Sequence, residues 1–307
     1  MREPEMTQEL QAELHQGVLV RFFGGFYVAA DADGQEYTLR CPKKFRHQRL
    51  SPLVGDAVRF TPGQGEEEGW LVEILPRKTE CIRPPVANVT LLLVSICPSP
   101  EPDLLLVDRL LARAKKQGMK TALIVGKCDL DGGKLLVQMQ EEYRGADCPV
   151  LGVSARNKEG LDSVRALMRG ADCCCLAGQS GVGKSTLLNA LLDLQLETGE
   201  ISEKIQRGKN TTRYAQLLIH DGIRVLDTAG FSLLETEKGM EPEKLQELYP
   251  EFQPYIGQCR FQPCLHDREP GCAVTQAVQA GKIDGNRVAR YRELLADVRL
   301  AWKNRYQ

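Results

Sequence analysis

The feature that most constrains the fold is a glycine-rich segment, LAGQSGVGKST, at residues 176–186. Its GxxxxGKS spacing allows successive backbone N–H groups to wrap a chain of phosphates. An apolar run precedes the segment and a helical pattern follows it, so the sequence predicts a strand, a phosphate loop and a helix in succession. Lys184 is expected to reach the terminal phosphates. The predicted phosphate contacts are Gly178, Gln179, Ser180, Gly181, Val182, Gly183, Lys184, Ser185 and Thr186.

The phosphate loop lies past the middle of the 307-residue chain, yet strand and helix patterns alternate well before it. VTLLLVS, KTALIVG and CPVLGVS are typical of buried strands, and helical patterns separate them. This alternation predicts an α/β domain with a mostly parallel sheet. We place the domain at residues 82–238, so the phosphate loop is internal to it and does not mark its start.

Base selection is expected to come from two loops that precede the phosphate loop. Asp129, in IVGKCDL, follows a predicted strand and can accept hydrogen bonds from guanine N1–H and the guanine exocyclic amine, whereas adenine has an acceptor at N1 and lacks that amine. Such bonds are worth about 1.5–3 kcal/mol each, enough to select GTP over ATP. VSA at residues 153–155 follows the next strand, and the N–H of Ala155 is a candidate donor to the guanine carbonyl. The predicted base contacts are Gly126, Lys127, Asp129, Ser154 and Ala155.

Two further motifs follow the phosphate loop. In VLDTAGF a strand ends at Asp227, which can hold Mg²⁺, and the N–H of Gly230 can sense a γ-phosphate. In GKNTTR, Thr211 and Thr212 can serve the metal and the γ-phosphate, with Thr212 favoured. Mg²⁺ is thus expected at Ser185, Thr212 and Asp227. The motifs run base loops, phosphate loop, switch one, switch two, which predicts a circularly permuted P-loop GTPase. Permutation is harmless if the original chain ends were neighbours, because a crevice depends on the spatial order of the strands.

The segment before this domain, residues 1–81, contains five short strand patterns separated by turn residues. They predict an OB-type β-barrel, although a sandwich fragment or an SH3-like barrel would look similar. RCPKKFRHQR at residues 40–49 is basic and free of acids, which indicates either an RNA-backbone contact or a solvated loop. The candidate RNA contacts are Arg40, Lys43, Lys44, Arg46 and Arg49.

Residues 239–307 are expected to form a third, mostly helical domain that binds zinc. Three thiolates and one imidazole can complete a tetrahedral Zn²⁺ site of the structural type. The expected ligands are Cys259, Cys264, His266 and Cys272. In the final helical pattern, apolar residues share one face, and the arginines on its polar face either meet RNA or solvate the helix. The CCC run at residues 173–175 lies in a predicted buried strand, where small apolar packing is favoured over metal ligation.

Composition limits the other possibilities. Lys and Arg number 40 against 41 Asp and Glu, so any nucleic-acid contact must come from local clusters. The polar, acidic first residues argue against a secretory signal, and no apolar run approaches the ~20 residues of a membrane span. Because the 11 cysteines are expected to stay reduced, the simplest expectation is a soluble cytoplasmic protein that does not associate with a membrane.

The motif order, with a barrel before it and a Cys/His cluster after it, resembles the RsgA (YjeQ) family of bacterial ribosome-assembly GTPases. The resemblance covers nearly the whole chain, including GQSGVGKSTLLN, DTAGF and CRFQPCLHDREPGCAV. It implies GTP hydrolysis stimulated by the small ribosomal subunit during its late maturation. The implied partners are that subunit and its rRNA, and a monomer is expected.

Three positions qualify the resemblance. The family reads Asn-Lys-x-Asp in the base loop, whereas this chain has Gly126, so weaker guanine affinity is expected. The family often has a catalytic His before the Thr pair, whereas this chain has Asn210. Phe231 stands where Ras-like enzymes orient water, and slow intrinsic hydrolysis is expected because Phe cannot polarise water. These residues leave open an alternative function, that of a regulatory module that binds guanine nucleotide and recruits partners with little hydrolysis. A metabolic P-loop kinase would leave Asp129 unexplained.

Overall fold

The computed structural model describes residues 14–47, 50–63, 65, 67–81, 85–193, 215–227 and 240–305. Within these ranges, none of the helices combines the length and the hydropathy that a membrane span requires. The chain divides into two compact units. One comprises Met1–Leu91, Ala166–Leu176 and Leu196–Gly230, and the other comprises Leu92–Arg165, Ala177–Gln195 and Phe231–Gln307.

The N-terminal segment forms a closed five-stranded barrel in the order β1-β2-β3-β5-β4. The β3–β5 pair is parallel and the other pairs are antiparallel, and apolar side chains such as Leu19, Phe60 and Leu71 fill the interior. The predicted OB-type barrel is therefore confirmed, with five strands as the sequence predicts. The strands are β1 (His15–Phe23), β2 (Phe26–Ala30), β3 (Glu36–Arg40), β4 (Ala57–Thr61) and β5 (Gly69–Ile74).

The basic segment after β3 contains a short helix, α1 (Lys44–His47), where the sequence suggested only a loop. Two of the candidate RNA contacts already have partners in the same N-terminal segment. Arg40 forms an ion pair with Glu68 at 2.9 Å, and the ammonium of Lys44 donates to the Val72 carbonyl at 2.9 Å. RNA would have to compete with these contacts. Arg49 lies outside the described residues, and only the backbone of Arg46 is described.

The central region contains a six-stranded sheet in the order β10-β9-β8-β11-β13-β12. The β9–β10 and β11–β13 pairs are parallel, as the strand–helix alternation predicts. The edge strand β12 differs, because it pairs with β13 in the antiparallel direction. A small two-stranded sheet, β6 and β7, precedes it. The strands are β6 (Glu80–Cys81), β7 (Val86–Ala87), β8 (Leu91–Ile96), β9 (Lys120–Val125), β10 (Val150–Gly152), β11 (Cys174–Ala177), β12 (Gln216–His220) and β13 (Ile223–Asp227).

Four helices follow strands of this sheet, and two of the predicted core cysteines, Cys174 and Cys175, lie in β11. All three thiols of residues 173–175 are buried, which confirms their interpretation as small apolar packing. Burial raises the pKa of the Cys174 thiol to about 12, so this thiol stays protonated and unreactive. The helices are α2 (Leu104–Lys116), α3 (Lys134–Glu142), α4 (Leu161–Arg169) and α5 (Lys184–Leu192).

The C-terminal segment is helical, as predicted. It begins with two 3₁₀ helices, η1 (Pro242–Leu248) and η2 (Pro250–Tyr255), and continues with α6 (Ala273–Gln279) and α7 (Gly285–Lys303). Helix α7 buries most of its predicted apolar face in a core that also holds three cysteines. The buried members of that face are Val288, Tyr291, Leu294, Leu295 and Val298.

Two arginines of α7 form ion pairs within the fold, Arg287 buried and Arg290 half-buried, in contrast to the exposed polar face that the helical pattern suggested. The Asp108 carboxylate, in α2, is fully buried and forms ion pairs with Arg287 and, at 2.6 Å, with Arg290. It also accepts a hydrogen bond from the Tyr143 hydroxyl at 2.7 Å. Glu251 of η2 holds Arg287 from another side at 2.6 Å. We name Asp108, Glu142, Glu251, Arg287 and Arg290 the buried ion cluster; it fixes α7 and η2 against α2 and α3.

Candidate functional site

The phosphate loop has the geometry that anion binding requires. It runs from β11 into α5, and its glycines at 178, 181 and 183 all have positive φ. Within the described residues, no side chain caps the first turn of α5, whose N-cap is Gly183, so its N–H groups face the loop. The positive end of the helix dipole and these donors favour a bound phosphate.

Gly178 cannot be replaced without moving the backbone. Its φ is 137°, and a Cβ there would lie 2.2 Å from the carbonyl oxygen of Ser95, at the end of neighbouring strand β8. A glycine is therefore required for the loop to leave β11 at this angle.

Lys184 curls back over the loop. Its Nζ donates to the carbonyl oxygens of Gly178 at 2.8 Å and Gln179 at 2.9 Å. The ammonium is partly buried among neutral acceptors, and this burial lowers its pKa. An anionic phosphate in the loop would compensate the desolvated charge, which is the role that the motif assigns to this lysine.

Lys127 joins the base loop to the phosphate loop. It follows β9 and Gly126 with a φ of 55°, and its ammonium donates to the carbonyls of Ser99 at 2.9 Å and Gly181 at 3.3 Å. The base-loop and phosphate-loop residues predicted separately from the sequence thus lie at the same edge of the sheet, at the carboxyl ends of β9 and β11, which flank β8.

The two base loops also contact each other through Asp129. The buried Ser154 hydroxyl donates to the Asp129 carboxylate at 2.7 Å, and this hydrogen bond is the main cause that lowers the pKa of Asp129. A second bond, from the Asn157 N–H to the Ser154 hydroxyl oxygen at 3.2 Å, fixes the hydroxyl. Asp129 itself is exposed, so an ionised and oriented carboxylate faces solvent where a base can reach it.

A loop that the sequence analysis missed borders this site. The segment 97–103 follows β8, and the N–H of Asp103 donates to the side-chain oxygen of Gln179 at 3.1 Å. Asp103 also caps α2 by accepting from Leu106 N–H at 2.9 Å. The sequence signal for this loop was its position directly after a predicted parallel strand, because residues that line the crevice follow such strands.

Gly126 leaves open the place where the family has asparagine. Its N–H donates to the Ile96 carbonyl at 2.8 Å, and a Cβ at this position would lie 3.5 Å from that oxygen and 4.0 Å from the Val182 carbonyl. These are ordinary contact distances. A side chain can therefore start at this position, and the amide of an asparagine here could donate to the phosphate loop.

Several predicted site residues cannot be placed. Asp227 ends β13, where its backbone pairs with Gln216 of β12. The remaining switch residues lie outside the described residues; they are Asn210, Thr211, Thr212, Gly230 and Phe231.

The four predicted zinc ligands come together in the C-terminal segment. All four residues are buried, and their ligand atoms lie within 4.8 Å of one another. His266 Nδ1 lies 3.4 Å from the Cys272 sulfur and 3.6 Å from those of Cys259 and Cys264. Tetrahedral zinc with Zn–S of about 2.3 Å and Zn–N of about 2.05 Å requires N···S separations of about 3.5 Å. The donor set therefore fits a closed structural site.

Burial shifts the pKa values of two of these ligands. Burial raises the pKa of the Cys264 thiol to about 12 and lowers the pKa of His266. The imidazole is therefore neutral, as a metal ligand must be. The thiol would lose its proton when a dication binds.

Comparisons with known proteins agree with this architecture. A family model described as "RsgA GTPase" matches residues 74–237, and one described as "RsgA N-terminal domain" matches residues 16–71. The first covers the base loops and the phosphate loop, and the second covers most of the barrel.

Relatives of similar length match nearly the whole chain. A protein from Geobacillus thermodenitrificans named "Small ribosomal subunit biogenesis GTPase RsgA" is 41% identical over 92% of this chain and 97% of its own. A Moorella thermoacetica protein of the same name is 40% identical over the same shares. The crystal structure of YjeQ from Thermotoga maritima matches with a TM-score of 0.79 at 31% identity, covering 93% of this chain and 98% of that chain. The structure of YloQ, described as a circularly permuted GTPase, gives 0.78 at 27% identity over 96% and 98%.

Proposed function

The chain belongs to the RsgA GTPase family, and we propose that it hydrolyses GTP to GDP and phosphate in the maturation of the small ribosomal subunit. The observation that carries this proposal is the junction of three loops. Lys127 bridges from the base loop to Gly181 of the phosphate loop, while Asp129 is held by Ser154 of the second base loop. One nucleotide can therefore meet a guanine-selective carboxylate and a phosphate cradle together.

The proposed mechanism relies on positioning and charge. Lys184 and the N–H groups at the start of α5 hold the β- and γ-phosphates, which spread negative charge as the γ-phosphoryl group leaves. Mg²⁺, bound with GTP by Ser185, Thr212 and Asp227, would neutralise part of the same charge. Thr211 and Gly230 would contact the γ-phosphate. Asn210 would orient water weakly and Phe231 not at all, so a partner has to complete the site.

Asp129→Asn should remove the preference for guanine. The amide keeps one acceptor but places its NH2 donor opposite the second guanine donor, and both charge-assisted bonds are lost. We expect GTP affinity to fall about 100-fold while ATP affinity stays at its weak starting value. Fluorescence titration with labelled nucleotides measures both. Asp162→Asn, at an almost fully exposed site on α4, should change neither. Unaltered GTP affinity in the Asp129 variant would refute the assignment.

Gly126→Asn should strengthen nucleotide binding. The new amide can donate to the Val182 or Ile96 carbonyl and also reach the base, since the position has room and an ordinary φ. One added hydrogen bond is worth about 1 kcal/mol, or about fivefold in the Kd for GDP. The control is Gly132→Asn, in open space at a φ that asparagine tolerates, which should leave the Kd unchanged. A folded Gly126 variant that binds GDP no better than wild type contradicts the prediction.

The metal of the C-terminal cluster is proposed to be one structural Zn²⁺, because three thiolates and one imidazole leave no open position. Its place in the fold supports this role, since the cluster is buried in the core of the C-terminal segment.

The proposed partners are the small ribosomal subunit and its rRNA, on the strength of the relatives' names. The basic segment after β3 is the proposed RNA-facing surface, and the protein is proposed to act as a cytoplasmic monomer. Release of Arg40 from Glu68 and of Lys44 from the Val72 carbonyl would free both cations for phosphates.

A further inference from the structure

The two ring nitrogens of His266 have different neighbours. Nδ1 faces the three cysteine sulfurs, as described above, while Nε2 lies 2.8 Å from the side-chain oxygen of Gln246 in η1. His266 is 1% exposed, so water cannot readily replace this second partner.

The orientation of the Gln246 amide is fixed independently. Its nitrogen donates to the Glu243 carbonyl at 3.0 Å, which requires the side-chain oxygen to face the imidazole. That oxygen can only accept, so the proton of a neutral His266 must reside on Nε2. The lone pair of Nδ1 is then left pointing at the sulfurs, which is the form that ligates a metal.

We propose that Gln246 is a positioning residue of the metal site. It holds His266 in the Nε2–H form and at the ring angle that aims Nδ1 at the cation. This inference rests on the proposed zinc site. Partners of this kind are typically worth 10–100-fold in metal affinity, because they fix the ligand and increase its basicity.

The contact also ties η1 to the metal ligands. A 3₁₀ helix has strained hydrogen bonds and needs external support. Gln246 supplies a bond from the middle of η1 to a buried ligand, and η1 is the first described element after β13. Binding of the cation therefore stabilises η1, and loss of Gln246 loosens both.

Gln246→Leu in the full-length, zinc-loaded protein is the direct test. Leucine keeps the volume and removes the acceptor. We expect zinc transfer to a chromophoric chelator to become about 10–100-fold faster. Gln246→Glu, which keeps an acceptor, should release zinc within about threefold of the wild-type rate. The control is Gln253→Leu, because this exposed glutamine of η2 donates to the Glu247 carbonyl. The Gln253→Leu variant should release zinc at the wild-type rate.

A spectroscopic readout separates positioning from general loosening. In wild type and Gln246→Glu, the His266 Nε2–H proton should give a downfield NMR signal protected from water exchange, and in Gln246→Leu this protection should be lost. The inference would be overturned if Gln246→Leu released zinc within about twofold of the wild-type rate. It would also be overturned if Gln246→Glu released zinc as fast as Gln246→Leu. Wild-type protein that contains no zinc would instead refute the proposed site itself, so the two failures are distinguishable.

Discussion

Lys184→Ala is expected to reduce GTP hydrolysis by about 100- to 1000-fold, the usual effect of removing a cationic group that stabilises transition-state charge. The ammonium already lies over the phosphate loop, 2.8 Å and 2.9 Å from two of its carbonyl oxygens. Neighbouring backbone donors cannot replace its full positive charge. Turnover should be measured with small ribosomal subunits present, since intrinsic hydrolysis is expected to be slow.

The matched control is Lys134→Ala, at an exposed lysine at the start of α3. It removes the same charge outside the nucleotide site and should retain wild-type turnover. Circular dichroism should show that both variants are folded, because Lys184 makes only two hydrogen bonds to neutral acceptors. A folded Lys184→Ala enzyme with more than about one third of wild-type activity would contradict the proposed phosphate site.

The second large effect concerns stability. Asp108→Asn keeps the shape of the side chain but removes the buried charge that the guanidinium groups of Arg287 and Arg290 face. Removing one partner of a buried ion pair typically costs about 3–5 kcal/mol, because the remaining charge is left uncompensated. In a chain of this size, that loss corresponds to a fall of about 10 °C in Tm. Differential scanning fluorimetry measures it.

Asp297→Asn provides the comparison. Asp297 pairs with Arg109 on the same two helices, α7 and α2, but its side chain is 41% exposed. Solvent screens such a pair, which is worth at most about 1 kcal/mol, so Tm should fall by no more than about 3 °C. If the Asp108→Asn and Asp297→Asn variants have the same Tm, the buried ion cluster does not stabilise the contact between these helices.

Local patterns were sufficient to predict much of this fold. The five barrel strands, the strand–helix alternation and α7 all have clear hydrophobic periods, and the phosphate loop and the Cys/His cluster have fixed spacings. Helix α1 has only four residues, too few for a helical period to show. Its formation depends on local contacts, such as the Phe45 N–H to Pro42 carbonyl bond.

The pairings that complete the sites are long-range, and no local pattern reveals them. Asp108 in a helical pattern looks like an ordinary surface charge, and so do the arginines of α7, yet they meet in the interior. Likewise, Gln246 and His266 lie in separate elements. Such contacts depend on how elements pack, so the sequence predicts the ligands and the loops but not the residues that orient them.

The central claim is that the chain is a GTPase whose site is completed by the small ribosomal subunit. The most direct test compares phosphate release from GTP and from ATP, each with and without purified small subunits. We expect slow GTP hydrolysis by the protein alone, an increase of at least tenfold with subunits, and little ATP hydrolysis in either case. Equal hydrolysis of GTP and ATP, or GTP hydrolysis that subunits do not change, would contradict it and favour a regulatory nucleotide-binding module.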